Sequence, residues 1–141
     1  MSPLEAAFPG LAGSGFAVTS PATEAYNCLA WAAGETDRWW WPDPMGVGYW
    51  PGGAPREETL PAFLAAYATL GYTPTTDPAP EANTGKVAIY PRSGLPTHAA
   101  RQLPGGRWTS KLGRDADIEH ALADLVGSLY GEVAAILARR E

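Results

Sequence analysis

The sequence contains little cysteine and little histidine, and this scarcity limits the chemistry available to it. Cys28 is the single cysteine, so an internal disulfide is excluded. A cysteine-rich zinc site is excluded as well, because such sites use two or more thiolates. The two histidines, His98 and His120, could hold a metal only with carboxylates at an unrecognised spacing. We therefore expect neither a metal nor another cofactor.

Positive charge and long apolar runs are also scarce. The 141 residues include 10 Lys and Arg against 15 Asp and Glu, which gives a net charge of −5. Nucleic-acid-binding surfaces are usually basic, so no nucleic-acid partner is expected. No segment approaches the ~20 apolar residues of a membrane span, and the N-terminus has no signal-peptide pattern. We expect a cytoplasmic protein with no membrane partner, and signal-independent export stays open.

Hydrophobic residues are plentiful, at 45% of the chain, and the length suits one domain over residues 1–141. The 16 glycines and 14 prolines predict many loops. Residues 1–19 are expected to form an irregular N-terminal segment.

Two helices are predicted in the first half of the chain. The first begins near Ser20 or Asn27, which are both candidate N-caps, and ends at Gly34. With Asn27 as the cap, Cys28 is the first helical residue. The second helix spans residues 59–70. Its apolar residues follow the i, i+3, i+4, i+7 pattern: Leu60, Phe63, Leu64, Tyr67 and Leu70.

The segment between these helices, residues 35–56, is rich in tryptophan and contains too much proline and glycine for a helix or a central strand. Its tryptophans can wall a substrate groove and stack on a peptide, glycan or acyl group. They can also form a small core under a long loop, which we prefer for two of them. The four are Trp39, Trp40, Trp41 and Trp50. At least one of the first three is expected near Cys28.

The second half of the chain is predicted to be mainly β-structure. Residues 86–90, 97–103 and 107–112 are strand-like, and the Pro-Gly-Gly between the last two marks a hairpin. We predict a loop over 73–84, a short helix over 117–125 and, more weakly, a closing strand over 130–139.

The length of the hairpin loop decides which side chains share a face. A three-residue loop pairs Leu103 with Arg107 and places Ser110 diagonal to His98, at about 7–8 Å between backbones. A two-residue turn would separate them. One face is mostly apolar and is expected to pack inward: His98, Ala100, Gln102, Trp108, Ser110 and Leu112. The other is charged and is expected to be solvent-exposed: Thr97, Ala99, Arg101, Leu103, Arg107, Thr109 and Lys111.

Basic residues give the hairpin region a local positive charge within an acidic protein. A solvated strand face is the simpler explanation, and a surface for an anionic substrate or partner is the alternative. These residues are Arg92, Arg101, Arg107, Lys111 and Arg114.

Cys28 has two possible roles. Free cysteine is among the most buried residue types, which favours an inert core thiol. The other role is that of a nucleophile, whose proton a nearby imidazole takes and later gives to the leaving group. His98, on the inward face of the hairpin, is the candidate base. A third polar group would then orient the imidazole.

The stretch GKVAIYPRSGLPTHAARQLPGGRWTSKLG, residues 85–113, resembles the strand pair of NlpC-type papain-like cysteine peptidases. In that family a Cys opens a helix, a later strand begins with His, and the next strand carries a third polar residue about twelve positions on. The resemblance implies that Cys28 is the nucleophile, His98 the base and Ser110 the orienting residue. Tyr26 and the Cys28 backbone N–H become candidates for stabilising an oxyanion.

A second resemblance is to an uncharacterised bacterial family, over roughly residues 24–138. It depends on the hairpin and on the motifs YNCLAWAAG, WWWP, YWP and DIEH. The sequence departs from the peptidases at the third position, which is usually His, Asp, Asn or Gln, because Ser110 is short and would need a bridging water. Asp117 and His120 are alternative partners. In the peptidases, an Asp often stands at the position of Asn27. The export signal that cell-wall peptidases carry is also missing from this sequence.

These observations predict an α+β fold of the NlpC/papain-like type, with helices packed on a small antiparallel sheet. The predicted function is that of a thiol-dependent hydrolase or transferase, which forms an acyl-enzyme with an amide or ester of a peptide, glycopeptide or acyl substrate. One alternative is a non-catalytic binding module on the same scaffold that uses the tryptophan segment. Another is a small bacterial effector or toxin. The sequence does not define the oligomeric state.

Overall fold

The computed structural model describes residues 8–11, 16–92, 95–112, 117–125 and 133–141. Within these ranges, seven strands form one antiparallel sheet and two short α-helices pack on it. The strands are β1 Ala17–Ser20, β2 Thr73–Thr75, β3 Thr84–Arg92, β4 Leu95–Gln102, β5 Trp108–Lys111, β6 Asp117–His120 and β7 Ala135–Arg140. The helices are α1 Cys28–Ala32 and α2 Leu60–Ala68, and 3₁₀ turns span Pro9–Leu11 and Leu122–Leu125.

The sheet is built around β3, its longest strand. The strand order is β1-β6-β5-β4-β3-β7-β2, so β3 pairs with β4 on one side and β7 on the other. The residues from Val87 to Tyr90 are all fully buried. A continuous apolar run of this kind is typical of a strand that is covered on both faces.

Separate apolar clusters cover the two faces of the sheet. The helix face carries α1, α2 and the tryptophan segment over Ile89 and Ala99. The opposite face, which we call the turn face, carries Phe8 and Leu11 and the second 3₁₀ turn over Tyr90 and Ala100. Because side chains alternate along a strand, odd and even positions of β4 belong to different clusters.

Both predicted helices are confirmed, and each has a local cause. Asn27 caps α1, because its side chain accepts a hydrogen bond of 3.2 Å from the Ala30 N–H, and Gly34 follows the helix with φ of 85°. Thr59 caps α2 in the same way, at 3.2 Å from the Ala62 N–H. Ser20, the alternative start of the first helix, lies in β1.

The predicted NlpC/papain-like α+β fold is wrong. The described residues form mostly antiparallel sheet, with two short helices, rather than several helices on a small sheet. Three segments were misassigned. Residues 17–19 of the supposedly irregular N-terminus lie in β1, residues 73–75 of the predicted loop form β2, and residues 117–120 of the predicted helix form β6.

The misassigned strands lack the alternation that would have identified them. β1 and β2 are short and largely exposed, whereas β6 is buried at three of its four positions. None of them therefore shows the apolar-polar period of a half-buried strand. The strands predicted over 86–90, 97–103 and 107–112 are confirmed. The closing strand is confirmed as β7, and residues 130–132 lie outside the described ranges.

The predicted hairpin register is confirmed. The Leu103 N–H donates to the Arg107 carbonyl at 2.7 Å, and Gln102 pairs with Trp108, as a three-residue loop requires. The expectation that the second face is exposed is wrong, because Ala99 and Lys111 are fully buried. The helix layer lies on that face. Arg114 lies outside the described residues.

The tryptophan segment forms part of the helix-face core. Trp40 and Trp50 are 1% and 6% exposed, and the Trp40 ring stacks on Tyr67 with 5.9 Å between centroids. The preferred interpretation of two tryptophans as core residues is thus confirmed for these two. Trp39 and Trp41 are half-buried.

Replacing Phe63 by Ala should lower the free energy of unfolding by about 3–5 kcal/mol. The Phe63 ring is fully buried and contacts Trp41 and Trp50, with centroids 5.7 and 5.2 Å away. Urea unfolding measures the loss. Met45→Ala, within the tryptophan segment, is the control, because Met45 is 86% exposed and the loss of stability should stay within about 0.5 kcal/mol. Equal effects of the two substitutions would contradict a core role for the segment.

Candidate functional site

Three buried polar side chains form a hydrogen-bonded chain on the turn face. His98 Nε2 lies 2.9 Å from Ser110 Oγ, and Ser110 Oγ lies 2.7 Å from His120 Nε2. His120 Nδ1 lies 2.7 Å from the Ala121 carbonyl oxygen. The three side chains come from the neighbouring strands β4, β5 and β6, and all are fully buried.

The hydrogen-bond pattern assigns the protons along this chain. A carbonyl only accepts, so His120 Nδ1 carries a hydrogen, and when the His120 ring is neutral its Nε2 accepts from the Ser110 hydroxyl. Ser110 Oγ then accepts from His98 Nε2–H, which leaves the lone pair of neutral His98 on Nδ1. Burial, and secondarily the neighbouring His120, hold the pKa of His98 well below its usual 6.5. His98 is therefore neutral at pH 7.

Cys28 meets the sheet where the pairing of β4 with β5 ends. That ladder contains Arg101 opposite Thr109 and Gln102 opposite Trp108. Backbone groups alternate in direction along an antiparallel strand, so Ala99, like Leu103, directs its N–H towards β5. The Cys28 sulfur lies close enough to the Ala99 N–H for this group to lower the pKa of the thiol.

The surroundings of the Cys28 sulfur shift the pKa of its thiol in opposite directions. Burial is the largest effect and raises the pKa of the thiol to about 11. Hydrogen bonds from the backbone N–H groups of Ala99, Leu29 and Cys28, together with the charge of Lys111, lower the pKa by less. The side chain is 7% exposed, and the thiol is protonated at neutral pH.

A second buried polar group lies on the helix face beside Cys28. The Tyr26 hydroxyl donates to Asp117 Oδ2, and Lys111 Nζ lies 5.5 Å from the centroid of the Tyr26 ring. Lys111 and Asp117 are fully buried and stand directly opposite each other in the β5–β6 pair. Burial, followed by the contact with Asp117, raises the pKa of Tyr26 to about 12.

Sequence reasoning missed the position of Lys111 and Asp117. Lys111 was placed on an exposed strand face, and Asp117 was placed in a helix. The pairing of Lys111 with Asp117 across two strands indicates a buried charged pair, but it can be recognised only after β6 is assigned as a strand. That assignment was not made from the sequence, because β6 shows no alternation.

The structure separates the three candidates for the orienting residue. Ser110 contacts His98 directly, and His120 contacts Ser110. Asp117 contacts Tyr26 on the other face of the sheet. The catalytic roles of these residues and of Cys28 stay predictions.

Trp40 is held by the residue that precedes Cys28. The side chain of Asn27, the preceding residue, donates to the Trp40 carbonyl at 2.6 Å and accepts from the Trp40 N–H at 3.0 Å. The predicted substrate-binding roles of Tyr26, Trp39, Trp41 and the two core tryptophans are not tested by these contacts.

Among the residues that the structure describes, no three His, Cys, Asp or Glu side chains lie close enough together to hold a metal ion. No helix in the described part of the chain is both long and apolar enough to cross a membrane.

The fold and the site define an antiparallel β-domain with buried polar groups on both faces of its sheet. The chain belongs to the family described as a domain of unknown function (DUF7689), which matches residues 17–138. This span includes Cys28, His98 and Ser110. No curated protein and no solved structure matches the chain. The resemblance of the motifs to NlpC-type peptidases stays a prediction.

The stability of the protein should fall as the pH drops below about 6.5. The pKa of His98 is lowered in the folded state, so the unfolded chain binds this proton first and is favoured by acid. For one such proton, the free energy of unfolding falls by up to about 1.4 kcal/mol for each pH unit.

Urea unfolding of the wild type and of His98→Gln between pH 8 and pH 5 measures this effect. The variant should be less stable at pH 8 but should lose less stability towards pH 5. Identical pH dependence in the two proteins would show that His98 is not held neutral by the fold.

Proposed function

We propose that the protein is a thiol-dependent hydrolase or transferase, with Cys28 as the nucleophile and His98 as the base. Such chemistry does not require a papain-like fold, because similar groups of residues occur on unrelated folds. The observation that supports the proposal is that Cys28 and His98 reach the same stretch of β4. The thiol packs beside Ala99 on the helix face, and Ser110 orients the imidazole of His98, the preceding residue, on the turn face. The two groups stand on opposite faces of the sheet, so proton transfer between them requires a rearrangement of this part of β4.

The protonation states before attack leave the proton on the thiol, so a base has to remove it. The raised pKa of Cys28 and the lowered pKa of His98 both favour a neutral thiol and a neutral imidazole. Once the rearrangement of β4 brings the imidazole to the thiol, His98 Nδ1 takes the thiol proton as the sulfur bonds to the substrate carbonyl carbon. The carbonyl electron pair moves to oxygen and returns when the bond to the leaving group breaks, and the imidazolium protonates that group.

The resulting thioester is resolved by a second nucleophile. Water gives hydrolysis, and an amine or alcohol gives transfer. His98 takes the proton of this nucleophile, and the returning thiolate takes the proton from His98. Ser110 accepts from His98 Nε2–H throughout and holds the ring in one orientation.

The backbone N–H of Cys28 is the better of the two candidates for stabilising the oxyanion. It lies close to the sulfur, where the attacked carbonyl must be placed. The Tyr26 hydroxyl already donates to Asp117, and this hydrogen bond would have to break.

The burial of Cys28 favours a second function, which is that of a non-catalytic binding module. An exposed fraction of 7% and a pKa of about 11 are typical of a core thiol. Trp40 and Trp50 are core residues, so the tryptophan segment would contact a partner through its other side chains. The peptide, glycopeptide or acyl substrate, the effector or toxin role and the cytoplasmic location stay predictions from the sequence.

Reaction with p-nitrophenyl acetate separates these two functions. The catalytic proposal predicts a burst of about one p-nitrophenol per chain and an acetyl group on Cys28, which mass spectrometry locates. Cys28→Ala should abolish the burst. His98→Gln should slow acetylation by about 100-fold or more, which is the usual effect of a general base. The wild-type rate should stay level from pH 8 to about 6.5, because His98 is neutral throughout that range.

Urea-unfolded protein is the matched control, since its thiol is freely accessible. Acetylation of Cys28 in urea but not in the folded protein would contradict the catalytic proposal and support the binding module. Equal acetylation rates for the wild type and His98→Gln would contradict the role of His98 as base.

A further inference from the structure

A groove of about 630 Å³ lies between the hairpin loop and the start of β3, and its lining does not include Cys28 or His98. Its walls come from five parts of the chain, which are residues 33–34, 72, 80–85, 101–105 and 139–141. Arg101 belongs to β4, Tyr72 precedes β2, and Arg139 belongs to β7. A volume of this size is typical of sites that bind small molecules, at roughly 300–1,000 Å³.

Two arginine side chains are held rigidly at this groove. The Arg101 guanidinium lies 5.2 Å from the centroid of the Trp31 ring, and its Nε donates to the Trp31 carbonyl at 3.3 Å. The Arg139 guanidinium lies 4.7 Å from the centroid of Tyr72, and its Nη1 donates to the Leu70 carbonyl at 3.2 Å. A guanidinium has five N–H donors, so each side chain has further donors for a ligand.

The charges of both guanidinium groups act on the Tyr72 hydroxyl, which lines the groove. Burial raises the pKa of the Tyr72 hydroxyl, and the charges of Arg139 and Arg101 oppose that rise. The hydroxyl lies 3.5 Å from where a Cβ at Gly85 would stand, so it faces the groove wall formed by β3.

The segment of residues 77–81, of which Pro80 and Glu81 line the groove, is fixed in place by hydrogen bonds. The fully buried ammonium of Lys86 donates to the carbonyls of Asp77 and Ala79, both at 2.6 Å, and to Glu81 Oε1 at 2.7 Å. Gln102 Nε2 donates to the Pro78 carbonyl at 2.8 Å. A wall that is ordered before binding reduces the entropy cost of binding. The Glu81 carboxylate is also engaged by Lys86 rather than by the two arginines.

One carboxylate of the chain already lies beside the arginines. Glu141 Oε1 is 3.7 Å from Arg139 Nη2, in the space directly above Gly85. The Glu141 side chain is 57% exposed, and this ion pair is too long and too exposed to be strong. A ligand that bonds to both guanidiniums can therefore displace it.

We infer that this groove binds a small oxyanionic molecule through a carboxylate or phosphate group held between Arg101 and Arg139. Guanidinium groups form paired hydrogen bonds with both kinds of anion, and the ring of Tyr72 supports one side of the site. Binding moves the Glu141 carboxylate away from Arg139. The site is separate from the thiol and does not depend on the proposed enzymatic function.

NMR titration of the ¹⁵N-labelled protein tests this inference, with inorganic phosphate and acetate as probes and sodium chloride holding the ionic strength constant. Saturable shifts are expected for the amides of Gly85 and Arg101 and for the Arg139 side chain. Arg139→Gln should weaken binding by about tenfold or more, because a charged hydrogen-bond donor is lost. Glu141→Gln should strengthen binding, because the competing carboxylate is removed.

Arg38→Gln is the matched control, because Arg38 lies outside the groove and pairs with Glu35. Its affinity should equal that of the wild type. Arg139→Lys keeps the charge but loses the planar donor pair, so it should bind less tightly than the wild type even if Arg139→Gln proves unstable. Saturation by only one probe identifies the anionic group and supports the inference.

Three results would overturn the inference. Shifts that grow linearly with both probes would show that no site exists. Equal weakening in Arg38→Gln and Arg139→Gln would reveal a general charge effect. Weaker binding by Glu141→Gln would show that this carboxylate does not occupy the ligand position.

Discussion

The interaction between the Ala99 N–H and the Cys28 sulfur joins the helix layer to the centre of the sheet. Ala99 is paired with Ile89 of β3, but the pairing of β4 with β5 stops at Arg101, so the buried N–H of Ala99 needs another acceptor. The Cys28 sulfur, on the first residue of α1, is close enough to this N–H for it to lower the pKa of the thiol, and we infer that it is the acceptor. A five-residue helix has little stability of its own, and tertiary contacts of this kind must hold it in place. The thiol therefore has a structural role whether or not it also has a chemical one.

Asn27 extends the same connection to the tryptophan segment. Its side-chain oxygen accepts from the N–H groups of Ala30 and Trp40, and its side-chain nitrogen donates to the Trp40 carbonyl. One amide thus caps the helix and fixes the backbone that carries the most buried tryptophan. A carboxylate at this position could not donate to the Trp40 carbonyl, which gives a physical reason for an amide at residue 27.

Local signals predicted the parts of the structure that local physics determines. Helix caps located α1 and α2, and the loop length fixed the hairpin register, so the contact between His98 and Ser110 could be anticipated. The sequence could not show that α1 covers the face with Ala99 and Lys111, because helix position depends on contacts between distant segments. The edge strands β1 and β2 are too short and exposed to produce a pattern. The papain-like prediction failed because it depended on the hairpin motif, which is compatible with more than one arrangement of the remaining strands.

Amide hydrogen exchange at Ala99 tests most directly whether Cys28 replaces β5 as the partner of this backbone group. In the wild type, the Ala99 amide should exchange slowly, as does that of Ile89, its neighbour in β3. In Cys28→Ala, exchange at Ala99 should become about five- to tenfold faster relative to Ile89, which corresponds to the loss of one hydrogen bond. Cys28→Ser, which keeps an acceptor, should change the ratio less. An unchanged ratio of the Ala99 and Ile89 rates in Cys28→Ala would contradict the central role of the thiol.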